Sequence, residues 1–251
     1  MADHPQQFAV TLDTDWAPDS AIDLAAELLV QHRVKATWFV THASPAIARL
    51  REHPDLFEIG IHPNFLANSS HGPTLEDVLD FCMALVPDAL SVRTHALWQS
   101  TPMYDLLLNR TPIRVDATLL LSHANYAEAV EYQWSGKTLL RIPYVWEDDV
   151  EMLRDQPAWD LPSLLHGRGL RVFDFHPIHV ALNSADMAPY TQLKRTIKPL
   201  QNATLDDLHA KAHTGEGART AFVALLAHLG ARGGGWRMRD LYAQWQEQRC
   251  T

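Results

Sequence analysis

Asp13 and Asp15 stand two residues apart in Thr11-Leu12-Asp13-Thr14-Asp15-Trp16, directly after the apolar run Phe8-Ala9-Val10. Alternation along a strand puts Val10 and Leu12 on one face and both carboxylates on the other, where the strand runs out. Two carboxylates held side by side repel, so the pair calls for a cation or a shared proton. Polar groups follow other apolar runs in the same way: His62-Pro63-Asn64, Arg93-Thr94-His95, Asp116, Trp146-Glu147-Asp148-Asp149 and His176-Pro177-Ile178-His179. A carboxylate with two neutral imidazoles is a common facial set for zinc or another divalent ion, leaving positions open for water and substrate.

On that chemistry Asp15, His62 and His71 are the expected metal ligands, with Asn68-Ser69-Ser70-His71-Gly72 also reading as an exposed turn. Asp13 is then free beside the ion, as a base for metal-activated water. Arg93 is expected to hold Asp13 ionised through a charge-assisted pair, and Asp116 to bond Arg93 in turn. His95 shares the face of Arg93 and lines the pocket. His176 is the first choice for donating a proton to a leaving amine and His179 the alternative; Asp174, on the same face as His176, is expected to orient it or titrate with the site. Trp16 and Trp146 offer flat apolar faces on which sugar rings stack.

The elements that must position these groups are legible from periodicity. Strands are expected at residues 8–13, 36–40, 56–61, 90–95, 113–116, 139–145 and 170–176. Helical spacing runs from Pro18-Asp19-Ser20 to Val34, from Ser44-Pro45 to Leu50, from Thr74 to Leu85 and from Thr101 to Asn109. Two amphipathic helices, about 218–229 and 238–246, are joined by Gly233-Gly234-Gly235. Seven strands alternating with helices mean a parallel sheet with right-handed crossovers, and at this length a closed or nearly closed barrel. Chemistry in such folds gathers at the carboxyl ends of the strands, where the groups above lie.

Composition bounds the partners. The 251 residues are 47% hydrophobic and contain no Gly/Ser- or Pro-rich linker, so one catalytic domain over 1–251 is expected, with C-terminal helices at about 218–247. A net charge of -9, from 21 Lys+Arg against 30 Asp+Glu with no basic run, argues against nucleic acid as a partner. Cys82 and Cys250 make neither a disulfide framework nor a cysteine-type zinc site. The polar start Met1-Ala2-Asp3-His4-Pro5 and the absence of any run long enough to span a bilayer lead to the expectation of a cytoplasmic protein without membrane insertion.

Taken together, the motifs resemble the polysaccharide deacetylases, the NodB-homology group also called carbohydrate esterase family 4. Thr11-Leu12-Asp13-Thr14-Asp15 resembles that family's first motif in its spaced Asp-x-Asp form. Ala36-Thr37-Trp38-Phe39-Val40 is similar to its second strand, and Glu58-Ile59-Gly60-Ile61-His62 to the strand entering its second motif. The chain departs from the family at Leu66, where a second histidine is usual. It also has Arg93-Thr94-His95 in place of Arg-x-Pro, and Phe173-Asp174-Phe175-His176 in place of the terminal Leu-x-x-His. The His-Pro-Asn and His-Pro-Ile-His stretches resemble a divergent branch associated with O-antigen loci. The resemblance implies an α/β fold, a deformed (β/α)7 TIM-like barrel. It implies a divalent metal, zinc first and Co2+, Ni2+ or Mn2+ as alternatives, with Asp15 as ligand and Asp13 as base. The implied activity is hydrolysis of an N-acetyl group on an amino sugar or a sugar nucleotide. Deformylation, cyclic-amide hydrolysis and metal-bound carbohydrate recognition without turnover are the competing readings.

Overall fold

The computed structural model describes residues 6–249; the polar start and Cys250 lie outside the described residues. Ten strands form one sheet: β1 (Gln7–Asp13), β2 (Ala36–Val40), β3 (Phe57–Ile61), β4 (Ser91–Val92), β5 (Val115–Asp116), β6 (Tyr126–Ala127), β7 (Val130–Trp134), β8 (Lys137–Arg141), β9 (Trp146–Glu147) and β10 (Arg168–Phe175). The order β10-β1-β2-β3-β4-β5-β8 is parallel throughout, with β7 antiparallel on β8 and with β6 and β9 both on β10.

One bent segment completes the circuit. Arg141 in β8 pairs with Asp116 of β5, Val145 donates to Val172 of β10 at 2.9 Å, and Trp146 of β9 pairs with Phe173. The stretch expected as a single sixth strand is therefore split. Pro143 has no N–H to give a ladder, and Tyr144 instead bridges to Leu120. The sheet is thus a deformed (β/α)7 barrel with a strand in each of the seven expected segments, but the fourth and fifth are shorter than expected: β4 stops at Val92 and His95 opens a 3-10 turn, and β5 is only Val115–Asp116. The hairpin β7–β8, carried by the Ser135-Gly136 turn, was not anticipated.

Strand parity divides the apolar residues into two cores. Val10, Leu12, Trp38, Val40, Ile59, Ile61, Val92, Phe173 and Phe175 point outward and pack under the helices. Ala9, Phe39, Val115, Ala117, Leu140, Ile142, Tyr144 and Val172 point inward. Gly60 occupies an inward position where a Cβ would lie 2.7 Å from Ser91 Oγ and 2.8 Å from Phe39 Cδ1, so no larger residue fits without displacement.

The helices Ala218–Gly230 and Met238–Arg249 match the expected pair, but the second does more than cover a face. Met238 and Leu241 enter the inner core and close the barrel at the amino ends of the strands. The first N–H groups of that helix are satisfied from inside: Met238 donates to Thr37 Oγ1 at 3.0 Å and Arg239 to Glu58 Oε2 at 2.7 Å. Glu58 is fully buried and also accepts from Thr37 and Ser91 hydroxyls at 3.0 and 2.8 Å. With this end plugged, the carboxyl ends of the strands form the open mouth. Among the described residues no helix is long and apolar enough to cross a membrane.

Burial pushes the Glu58 carboxyl above its ordinary value, against the opposing pull of Arg239 and the two hydroxyls. The folded chain then holds more protons than the unfolded one between pH 4.5, the ordinary value, and the raised one. Stability carried by Glu58 is fully present below that window and is lost as pH rises through it. Glu58→Gln mimics the protonated state, so urea denaturation at pH 4 and pH 7 is expected to show a smaller penalty for the variant at pH 7; an equal penalty at both would refute the assignment.

Candidate active site

Asp13, at the last inward position of β1, is 3% exposed and bonds Arg93 Nη1 through Oδ1 at 3.1 Å. Arg93 is fully buried on the barrel axis. Its Nε donates to Ala117 O at 3.0 Å, and Nη1 also donates to Thr11 Oγ1 at 2.9 Å and to Asp174 Oδ1. Its guanidinium lies between the rings of Phe39 and Tyr144, 4.7 and 4.2 Å from their centroids. Burial pushes the Asp174 carboxyl above its ordinary value, Arg93 opposing the rise and the charge of Asp13 adding to it.

One layer nearer solvent, Asp15 meets two imidazoles. Its Oδ1 is 3.1 Å from His62 Nε2 and 3.2 Å from His95 Nδ1, and these two nitrogens are 3.4 Å apart. His62 Nε2 is also 3.6 Å from Asp13 Oδ2, so the first acid borders the cluster. Burial would raise the Asp15 carboxyl, but hydrogen bonds from His62 and His95 hold it well below the usual carboxylate range. His62 rises above its ordinary value because Asp13 and Asp15 outweigh its desolvation.

The backbone that aims Asp15 is strained. Asp15 and Trp16 both have left-handed conformations, φ 42 and 54°, which cost non-glycine residues roughly 1–3 kcal/mol each. Thr14 and Thr41 hold the turn: Trp16 N donates to Thr41 Oγ1 and Thr41 N to Thr14 Oγ1, each at 3.0 Å.

His176 enters from the opposite wall, with Nε2 3.7 Å from Asp15 Oδ2. The acid that orients it is Asp148, not Asp174 as expected from their shared face. Asp148 accepts from His176 N at 2.9 Å and contacts Nδ1 at 2.7 Å, whereas Asp174 is occupied by Arg93 and by Thr11 Oγ1 at 2.7 Å. Although burial alone would lower it, Asp148 raises the His176 imidazole well above its ordinary value. Asp148 reaches inward because the strand ends at Glu147 and a short helix, Asp148–Glu151, turns the chain. Period-two reading would have kept Asp148 on the outward face of Trp146, which is why its part was missed.

The remaining expected residues fall in several places. Asp116 does not bond Arg93: its side chain points outward to Arg141 Nε at 2.8 Å and Tyr104 Oη at 3.0 Å. His71 is buried rather than in an exposed turn. Its Nδ1 accepts from Asn64 N at 3.1 Å and its ring stacks on Phe81, centroids 4.8 Å apart, so it does not join the Asp15 cluster. Trp16 lies at the mouth, 5.4 Å between ring centroids from both His71 and His95. Trp146 is 3% exposed and packs on Phe175 and Trp159 in the outer core, away from any rim. His179 is buried behind His176, with Nδ1 3.1 Å from Ser184 Oγ; desolvation and His176 push it down to about 3.

The donor set at Asp15 fits a divalent ion. Three ligand-type atoms converge at 3.1–3.4 Å, the Asp15 oxygen is held as a carboxylate, and side-chain exposures of 21% for Asp15 and 24% for His95 leave the cluster open to solvent. The grouping of Asp13, Asp174 and His176 fits one less well, because Arg93 already occupies both carboxylates.

A (β/α)7 barrel with an Arg-held acid, an Asp–imidazole cluster and an Asp-held imidazole at its mouth is the arrangement that the sequence resemblance to polysaccharide deacetylases led one to expect. Residues 10–194 match the WbmS-like polysaccharide deacetylases. A crystal structure from Bordetella bronchiseptica, WbmS, assigned as a polysaccharide deacetylase involved in O-antigen biosynthesis, shares 34% identity with a TM-score of 0.77, covering 88% of this chain and 90% of its own. Peptidoglycan deacetylase PdaC from Bacillus subtilis shares 12% identity with a TM-score of 0.47, covering 100% of this chain and 98% of its own. No curated protein matches the sequence. The chain belongs to the WbmS-like polysaccharide deacetylase family.

Two outcomes are expected from the buried charges. Arg93→Met leaves Asp13 and Asp174 unpaired and is expected to lose about 3–5 kcal/mol in chemical denaturation; adding Asp174→Asn to Arg93→Met should recover part of that loss. Asp148→Asn removes the charge that raises His176, so the His176 imidazole pKa read by NMR is expected to fall, and an unmoved titration would contradict the pairing.

Proposed function

We propose that the protein is a metal-dependent carbohydrate N-deacetylase that removes an acetyl group from an amino sugar of a surface-polysaccharide precursor. Membership in a polysaccharide deacetylase family supports the reaction class. The similarity to WbmS supports an O-antigen-type substrate. The single observation that carries the mechanism is the convergence at one mouth of Asp13 on Arg93, Asp15 on imidazoles, and His176 on Asp148.

In this reading Asp15 and His62, with a second imidazole, hold a divalent ion, zinc first. Such an ion, when bound, polarises the acetyl carbonyl and makes the attacking water more acidic. Asp13 accepts the proton of that water, and Arg93 keeps the carboxylate ionised and fixed in direction. His176, held protonated by Asp148, gives its Nε2 proton to the departing amine nitrogen. Trp16 offers an apolar face for the sugar ring beside the imidazoles.

Acetate release from N-acetylhexosamine oligosaccharides and from nucleotide-linked N-acetylhexosamines, with Zn2+, Co2+, Ni2+ or Mn2+ added, tests the reading. Asp13→Asn and His176→Ala are each expected to lower kcat by about 10²–10⁴. Because the donor must be protonated, the rate should fall as pH rises through the elevated His176 value, and Asp148→Asn should move that fall to lower pH. Near-normal turnover in both single variants would reject the roles, and formate release from a formylated sugar without acetate release would move the reading to deformylation.

A further inference from the structure

We propose that His95 is the third protein ligand of the ion, so that Asp15, His62 and His95 coordinate it and His71 takes no part; the inference rests on the metal-dependent reading above. The three atoms form a nearly equilateral triangle of edges 3.1, 3.2 and 3.4 Å. Ligand atoms at zinc-type bond lengths of 2.0–2.2 Å in tetrahedral array lie about 3.3–3.6 Å apart, so this triangle is close to one face of a coordination tetrahedron, which the ion would open by a few tenths of an ångström.

Backbone geometry points the same way. The loop after β4 carries two successive left-handed residues, Ala96 and Leu97 with φ 53 and 54°, just as Asp15 and Trp16 do in the loop after β1. Neither pair contains glycine, and strain of this kind persists only where surrounding contacts hold it. Here they do: His95 N donates to Pro63 O at 3.0 Å, Thr94 Oγ1 to Trp98 O at 2.6 Å, and Thr94 N to Thr118 Oγ1 at 3.1 Å. The bond to Pro63 ties His95 to the residue directly after His62, fixing the two imidazoles relative to each other.

His71 is held differently. Accepting from Asn64 N at Nδ1 puts the ring proton on Nε2, which is buried without a hydrogen-bond partner among the described residues and in that tautomer has no lone pair for an ion, and Phe81 covers one ring face. Leu66, where the resembling family carries its second histidine, is 42% exposed and has no donor atom. The ligands then come from the ends of β1, β3 and β4 rather than two from one loop. An ion held this way staples three strand ends, so loading should stabilise the fold as well as fill the site.

The test uses the full chain stripped of metal and titrated with Zn2+. Bound metal is counted by mass spectrometry, affinity measured by competition with a chromophoric chelator, and melting temperature followed with and without metal. Wild type is expected to bind one equivalent and to melt higher when loaded. His95→Ala should lose on the order of 100-fold or more in affinity and most of the thermal gain, since even outer-shell partners are worth 10–100-fold. His71→Ala should keep stoichiometric binding. His95→Cys restores a ligand, and its Co2+ form should show a thiolate-to-metal absorption band, while circular dichroism of the metal-free variants checks their fold. Wild-type affinity in His95→Ala, loss confined to His71→Ala, or no metal uptake by wild type would each overturn the proposal. Metal uptake that needs His95, without acetate release on any substrate, would sink the deacetylase reading and leave this assignment standing.

Discussion

A guanidinium with no exposure to water, set against two carboxylates, is the constraint on which the rest of the barrel interior depends. Arg93 sits between Asp13 and Asp174 in a medium where an unpaired charge is intolerable, and its own loss would strand both acids. The aromatic faces of Phe39 and Tyr144 fill the space on either side of it without competing for its N–H groups. Asp13 is therefore oriented from below, which leaves its second oxygen facing His62.

Above and below this plane the inward residues change character in steps. The floor is Glu58, buried and held by two hydroxyls and the first turn of the C-terminal helix, whose positive end favours an anion. The middle is apolar around Arg93, and the mouth is Asp15 with three imidazoles. Polar groups thus sit at both ends of this apolar layer, Glu58 held at the floor and Asp15 with its imidazoles at the mouth. The outer core, fed by the alternate residues of the same strands, anchors those strands to the helices. Strands β1 and β10 then carry Asp13 and Asp174, and Arg93 directly follows β4, while left-handed turns carry Asp15 and adjoin His95, and hydroxyls of Thr14, Thr41 and Thr94 lock those turns.

Much of the barrel was legible because its strands obey a strict alternation. Val10 and Leu12 against Thr11 and Asp13 announce an inner and an outer face, and the same parity recurs at Trp38 and Phe39 and at Phe173 and Asp174. Legibility failed where the chain stops alternating. Pro143 interrupts the sixth strand, and the turn at Glu147 swings Asp148 inward, so the partner of His176 was sought in Asp174. Asp116 was expected near Arg93 because both end neighbouring strands. A shift of one residue in parity sends it to Arg141 and Tyr104 on the far side of the sheet.

Local periodicity was enough to determine the α/β class, the run of parallel strands that makes the barrel wall, the ends at which polar groups collect, and the presence there of Asp13, Asp15, His62, Arg93 and His176, because each depends only on near neighbours in the chain. Which imidazole stands beside Asp15 was decided only in three dimensions. His71 lies nearer to His62 in sequence, yet an amide from Asn64 and the ring of Phe81 engage it, whereas His95 is brought 3.4 Å from His62 by a bond to Pro63 and two left-handed residues. Contacts between loops of different strands follow from how the barrel closes, and no spacing along one segment encodes that closure.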